Sequence, residues 1–142
     1  DIKKVIDQKK KKMSHVVCAY CELRRDENSN RRTIPKVVFN ENKELLYISR
    51  SPIPVSKKKE NKIKYFKQVC IYAFTKNELN FFRGFKRKSK IEKIEDIEIL
   101  RFLESGIKIK MIKMSSKSLA IDEKKDLKKI KKYLKLKSHY IN

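Results

Sequence analysis

The sequence predicts an α/β fold, and three observations carry that reading. First, the second half alternates strand-like and helix-like patterns: "YFKQVCIYAF" (65–74) is aromatic and β-branched, helical spacing follows it, and "IKIKMIKM" (107–114) alternates with period two. Second, Thr75-Lys76-Asn77-Glu78 is a T-x-x-E capping box directly after the first of those strands. Third, no repeat or low-complexity linker divides the 142 residues, so they read as one domain or part of one. Alternation of this kind lays helices against a sheet.

Along the chain, residues 1–12 are expected to be helical, with Ile2, Val5 and Ile6 on one face and lysines on the other. "SHVVCAY" (14–20) reads as a short apolar strand. "CELRRDENSNRRT" (21–33) is polar and Gly-free and reads as a loop. "IPKVVF" and "ELLYIS" are strands joined by the hairpin-type connection "NENK". "SPIPVSKKKENK" is a loop, because Pro52 and Pro54 stop regular structure. After the 65–74 strand the capping box starts a helix through Phe82, ended by Gly84. A second helix is expected from near Ser89, with Ile91, Ile94, Ile97, Leu100 and Leu103 at helical spacing and Glu92, Glu95, Asp96 and Glu98 pointing elsewhere. Gly106 closes it as the residue after the C-cap. The 107–114 strand is half-exposed. "SLAID" is a further short strand, and Leu127, Ile130 and Leu134 stripe a basic terminal helix.

Composition narrows the function. Hydrophobic residues make up 39%, enough for a modest core, and no apolar run approaches the ~20 residues of a membrane span. The opening "DIKKVIDQKKKKM" is charged and has no signal-peptide character. It lacks an initiator Met, and Met13 falls inside a continuous pattern, so the expected N-terminus lies upstream. The net charge of +22 suits a nucleic-acid binder. Its distribution points instead to lysine-rich coding bias: lysines lie on every segment, Ile and Asn are abundant, and aromatics sit in apolar strands and helices rather than among arginines. No nucleic-acid partner is expected, though the charge attracts anionic substrates. Cys18, Cys21 and Cys70 make an odd count, against a disulfide framework and for a reducing, cytoplasmic compartment. "CAYC" has metal-like spacing, but no second Cys/His pair completes it, and positions i and i+3 of a strand face opposite sides. His15 and His139 stand far apart, and each reads as a surface or core histidine.

Four blocks carry a family resemblance: "PKVVFNENKELLYISRSPIP", "FKQVCIYAFTKNELNFF", "KIEKIEDIEILRFLESGIKIKMI" and "SLAIDEKKDLKKI". In order and spacing they resemble the C-terminal half of CMP-Kdo synthetases, Kdo being 3-deoxy-manno-octulosonate, the acidic sugar of lipopolysaccharide inner cores. The resemblance runs from the helix at residue 1 to about Leu134. It implies a Rossmann-like α/β nucleotidyltransferase with a mixed sheet, of which residues 1–142 form the C-terminal, sugar-acid-binding part of a single domain. It implies the reaction of CTP with Kdo to give CMP-Kdo and pyrophosphate, with Mg²⁺, and a homodimer when full-length. The Gly-rich phosphate loop and the Asp- or Gln-Gly-Asp metal motif of the nucleotide half are not found and are expected before Asp1.

Residue by residue, "YISRSPIP" resembles the family's "YFSRATIP"-like segment, whose arginine belongs to the sugar-acid site, so Arg50 is expected there. A guanidinium at a strand end can take a carboxylate bidentately, and the flanking prolines keep it aimed. Without the resemblance, Arg50 reads equally as a solvated loop arginine. Tyr72 in "CIYAF" matches the family's "GIYGY"-like tyrosine at the sugar pocket; without the resemblance it reads as a core tyrosine. On that strand Tyr72 and Phe74 share one face, and Ile71 and Ala73 the other. Glu98 in "IEILR" matches the glutamate before the family's "LR" and would accept a sugar hydroxyl; by spacing alone it is a surface helix glutamate. Asp122 in "IDEKKDL" matches the aspartate of "VDTPEDL", a magnesium ligand in the family, while its neighbours Lys117, Lys124 and Lys125 suit a structural ion pair. The chain also departs from the pattern. Gln68 stands where many members carry His, which keeps hydrogen bonding but not charge, and Ile99 stands where they carry Gln. These departures leave the exact sugar open and admit an 8-amino analogue of Kdo. Two rival functions stand beside these. One is a synthetase for a sialic-like acid, which should lack "SRxxIP" followed by "IYAF". The other is a basic nucleic-acid-binding module.

Overall fold

The computed structural model of the chain describes residues 2–11, 13, 15–58, 63–115, 127, 130 and 131. Its elements are α1 (Ile2–Lys11), β1 (Val16–Glu22), β2 (Lys36–Phe39), β3 (Leu45–Ser49), β4 (Phe66–Ala73), α2 (Lys76–Gly84), α3 (Lys90–Glu95), α4 (Leu100–Glu104) and β5 (Ile109–Lys113). Leu127 and Ile130 are helical, as expected. The expected "SLAID" strand, Leu134 and Asp122 lie outside the described residues.

The five strands form one mixed sheet in the order β3-β2-β4-β1-β5. β1 runs antiparallel to β4 and parallel to β5, while β2 is antiparallel to both β3 and β4. The β2–β3 hairpin folds back toward the opposite edge: Glu44 bridges Lys110, and the Met111 N–H donates to the Lys43 carbonyl at 2.7 Å. The sheet therefore curls, and its two outer strands meet at the hairpin tip.

Alternation along the strands makes two faces. On one, Val17, Ala19 and Met114 pack with Val5 of α1, flanked by Val69, Ile71, Ala73 and Ile112. On the other, Val16, Cys18, Tyr20, Ile48, Ile109 and Met111 meet Ile97, Ile99, Leu100 and Phe102. Tyr72 and Phe74 join this second face while Ile71 and Ala73 join the first, as the period requires.

α1 turns Val5 and Lys9 toward the sheet, whereas Ile2 and Ile6, expected on the inner face, are exposed. Positions 5 and 9 are one turn apart, so the contact stripe is narrow and ends in a buried cation. The Lys9 ammonium donates to both oxygens of Glu78, at 2.7 and 2.6 Å, and to the His15 carbonyl at 2.6 Å. Glu78 also closes the expected capping box, accepting from the Thr75 N–H at 2.6 Å while the Thr75 hydroxyl accepts from the Glu78 N–H.

The single helix expected from Ser89 through Leu103 is two short helices. Asp96 takes left-handed geometry, φ 52°, and its N–H returns to the Glu92 carbonyl at 2.8 Å, ending α3. The apolar stripe breaks with the backbone: Ile94 is 82% exposed, whereas Ile97, Ile99 and Leu100 are buried. Glu92 does not face solvent either. It is 2% exposed and takes a two-pronged contact from Arg101, Nε to Oε2 and one terminal nitrogen to Oε1, each at 2.6 Å. The guanidinium lies 3.9 Å over the Phe82 ring, which stacks on Phe102. Gly106 ends α4 at φ 74°, in the expected role.

Candidate functional site

The candidate site forms where β4 is irregular. Cys18 pairs with Tyr72 but the next residue, Ala19, pairs with Val69, so the register shifts past Cys70 and Ile71. In a regular strand, residues four apart lie about 13 Å from each other. The bulge shortens that distance and re-aims the side chains, so that the Gln68 amide donates to the Tyr72 hydroxyl at 2.5 Å. The Glu98 carboxylate lies near the Tyr72 hydroxyl and acts on its electrostatics. Burial holds the Tyr72 phenol far above its ordinary pKa, and the nearby Cys18 and Glu98 push it the same way, so it stays a proton donor at neutral pH. Cys18, behind Gln68, is fully buried, and burial likewise pushes its thiol up.

Three expected site residues thus form one row, Gln68 bonded to Tyr72 and Glu98 near the Tyr72 hydroxyl. Exposure rises along it: Gln68 is buried, Tyr72 half-buried and Glu98 exposed. A polar row with a buried donor at one end and a solvent-facing carboxylate at the other can present acceptor oxygens to a hydroxylated ligand. Ile99, which stands in place of the family pattern's glutamine, is fully buried in the core and offers no polar group.

Arg50 follows the end of β3 and lies against the turn between α3 and α4. Its Nε donates to the Glu95 carbonyl, and its terminal nitrogens donate to the Asp96 and Arg32 carbonyls, both at 2.9 Å. Three of the five guanidinium N–H groups are therefore engaged by backbone. Arg50 and Glu98 are brought to one turn, but Arg50 enters it as a tether as well as a cation.

The sequence pattern did not reveal two charged residues beneath this turn. Lys36, which falls within an apolar strand, is fully buried, and its ammonium donates to the carbonyls of Ile34 at 2.7 Å, Arg31 at 3.1 Å and Arg50. Burial lowers its pKa, the nearby Glu95 opposing and Arg50 assisting that shift. Glu95, expected to point away, turns onto β3: it accepts from the Ser49 hydroxyl at 2.8 Å, the Tyr47 hydroxyl at 3.4 Å and the Arg50 N–H at 2.9 Å. A lone lysine between apolar residues, and a glutamate at i+3 from Glu92, were the only signals in the sequence.

Cys18 and Cys21 have separate surroundings, Gln68 and Glu98 for the first, Lys67 and Glu27 for the second. Among the described residues, Cys18, Cys21 and Cys70 form no disulfide. Among the described residues no three His, Cys, Asp or Glu side chains gather as a metal site, and no helix is long and apolar enough to cross a membrane. Asp122, expected to hold Mg²⁺, lies outside the described residues. A cavity of about 480 Å³ lined by Glu22, Arg24, Glu27, Lys64 and Tyr65 adjoins the start of β4 rather than the Gln68–Tyr72 bulge.

Comparison with known proteins sets these features in context. The family model described as Cytidylyltransferase matches residues 1–109. A 3-deoxy-manno-octulosonate cytidylyltransferase of Christiangramia forsetii is 41% identical over 100 residues, 70% of this chain and 40% of the relative. Those of Flavobacterium johnsoniae and Thermodesulfovibrio yellowstonii are 35% and 34% identical, covering 80% and 94% of this chain and 46% and 54% of their own lengths. The chain thus spans about half, or less, of the curated relatives it matches. A solved CMP:2-keto-3-deoxy-manno-octonic acid synthetase in complex with CTP superposes with a TM-score of 0.82 at 26% identity, covering 96% of this chain and 56% of that one. The mixed sheet is accordingly part of a nucleotidyltransferase fold.

Proposed function

The chain belongs to the cytidylyltransferase family, and on that premise we propose that it is the C-terminal, sugar-acid-binding part of an enzyme that joins CTP to 3-deoxy-manno-octulosonate, releasing pyrophosphate. The observation that carries this reading is the Gln68–Tyr72 bond at the β4 bulge with Glu98 close to it, on the α3–α4 turn that Arg50 tethers.

In this reading the anomeric hydroxyl oxygen of the sugar acid attacks the α-phosphorus of CTP. An O–P bond forms, the bond to the β-phosphate oxygen breaks with its electron pair leaving on pyrophosphate, and the hydroxyl proton passes to solvent. This chain's residues bind and orient. The two remaining N–H donors of Arg50 take the sugar carboxylate, and its three carbonyl tethers keep the fork from swinging. Glu98 accepts a sugar hydroxyl, and Tyr72, held by Gln68, lies beside it. The positive charge of the chain draws both anionic reactants. Asp122 is the residue assigned to magnesium, which when bound supplies charge compensation between the two anions. Because the reaction consumes CTP, the cytoplasm is the compartment of choice, and the functional form is a full-length homodimer.

The test is CMP transfer from CTP by the full-length protein to 3-deoxy-manno-octulosonate, to its 8-amino analogue and to a nine-carbon sialic acid. Turnover of the first with a clear preference supports the proposal, and preference for another acid replaces the substrate. Asp122→Asn keeps shape and removes charge, so turnover should fall by orders of magnitude with little change in melting temperature. Wild-type-like turnover in that variant would remove Asp122 from the mechanism.

A further inference from the structure

We propose that Glu95 is a positioning residue that locks the end of β3 to the α3–α4 turn, so that Arg50 and Glu98 are held as one unit. This rests on the reading of that turn as the sugar-acid site.

The contacts are reciprocal. The Glu95 carboxylate accepts from the Arg50 backbone N–H at 2.9 Å, while the Arg50 side chain donates from Nε to the Glu95 backbone carbonyl. Each residue therefore holds the other's main chain with its own side chain. The second Glu95 oxygen takes the Ser49 hydroxyl at 2.8 Å, and Ser49 itself accepts from the Ser51 N–H at 3.0 Å, so the start of the proline loop is gathered into the same knot. Lys36 holds the other side of the Arg50 peptide through its carbonyl. Arg50 is thus fixed at N–H, at C=O and at the guanidinium.

Chemistry explains why a glutamate stands here. The left-handed Asp96 ends α3 and turns the chain so that the Glu95 and Asp96 carbonyls face Arg50. Helix-end carbonyls carry partial negative charge and favour a cation. The Asp96 carboxylate also acts on Arg50 but is already paired with Lys88, and the buried Lys36 ammonium adds a second cation. The Glu95 carboxylate offsets part of this positive charge while accepting from the Ser49 and Tyr47 hydroxyls and the Arg50 N–H. The remaining positive charge is what a carboxylate ligand would meet. Glu98 lies only three residues beyond Glu95, with a single turn between them, so displacement of the Glu95 anchor moves both sides of the site.

The experiment compares wild-type full-length protein with Glu95→Ala, Glu95→Gln and the control Glu104→Gln, whose carboxylate caps the opposite end of α3. Nitrogen-15 NMR reads solvent exchange at the Arg50 amide and at the Arg50 side-chain Nε–H. The amide loses its acceptor directly on Glu95→Ala. The Nε–H acceptor is a backbone carbonyl that the substitution leaves in place, so faster exchange there reports that the guanidinium has left the turn. The inference predicts that both signals exchange at least ~10-fold faster, the order of one lost charge-assisted hydrogen bond. It also predicts a KM for the sugar acid raised about tenfold with the KM for CTP unchanged. The control should match wild type in both. Should Glu95→Ala not fold, Glu95→Gln keeps the volume and one acceptor and gives the same contrast at smaller amplitude. An Nε–H still protected, or equal losses for CTP and sugar acid, would overturn the positioning role. Absence of turnover in the wild type would instead overturn the functional reading and leave the NMR result to decide the role of Glu95.

Discussion

The two faces of the sheet use alternate residues of the same strands, yet they are finished differently. Under α1 the face is small and aliphatic, Val17, Ala19, Ile71 and Ala73, and the Lys9–Glu78 pair ties α1 to α2 there. The opposite face, under α3 and α4, carries the aromatic rings together with Gln68, Tyr72, Arg50, Glu95 and Glu98. Its own buried pair, Arg101–Glu92, sits on the Phe82–Phe102 stack. A continuous helix needs only a stripe, as α1 shows. A broken one exposes backbone carbonyls and turns, and these are what a polar site is made from. In the proposed reading, the site follows the irregular elements: the bulge in β4, the left-handed Asp96 and the loop after β3.

The two ion pairs should separate the faces most strongly. Arg101→Met should cost ~3–5 kcal/mol, because Glu92 is left charged and buried. Lys9→Met should cost less, ~1–2 kcal/mol, since Glu78 keeps its bond from the Thr75 N–H and is 12% exposed. Urea unfolding of both variants measures the difference. Equal losses would mean that the two pairs are equivalent staples. Next in size is Arg50→Lys, which keeps the charge and loses the planar fork. In the full-length protein it should weaken sugar-acid binding by ~1–3 kcal/mol while CTP binding stays largely intact. Calorimetric titration separates the two ligands, and equal losses would make Arg50 structural or phosphate-facing.

Much of the fold was legible because local chemistry decides it. The NENK hairpin, the aromatic β4, the Thr75–Glu78 capping box and Gly106 each rest on residues adjacent in sequence. The division of Tyr72 and Phe74 from Ile71 and Ala73 followed from the strand period. The break at Asp96 was not legible: the apolar spacing continues across it, and the left-handed residue is not glycine. Nor was the β4 bulge, since an insertion of two residues preserves the alternation of faces. Lys36 and Glu95 escaped for a related reason. The Lys36 partners are carbonyls, and Glu95 reaches a backbone N–H and two hydroxyls more than forty residues away, so no local side-chain pattern marks them.

A smaller effect separates the faces by pH. Arg101, hydrogen-bonded to Glu92, holds that carboxyl below its ordinary 4.5, so in the folded state it binds its proton less readily than in the unfolded state. The resulting stability is fully present above pH 4.5 and is lost as pH falls through the depressed folded-state value. Arg101→Met should remove this contribution, so that its unfolding free energy falls less steeply below pH 4.5 than that of the wild type. Parallel curves would show that Glu92 does not couple folding to protons.

If the α3–α4 face binds the sugar acid and the α1 face does not, substitutions on the two faces must act on different quantities. Calorimetric titration of 3-deoxy-manno-octulosonate into full-length wild type, Glu98→Gln and Lys9→Met reads this out. Glu98 is exposed, so its substitution should shift stability by no more than about 0.5 kcal/mol while weakening sugar-acid binding about tenfold or more. Lys9→Met should do the reverse, lowering stability and leaving the affinity at the wild-type value. Wild-type affinity in Glu98→Gln, or a matching loss of affinity in Lys9→Met, would contradict the assignment of the site to this face.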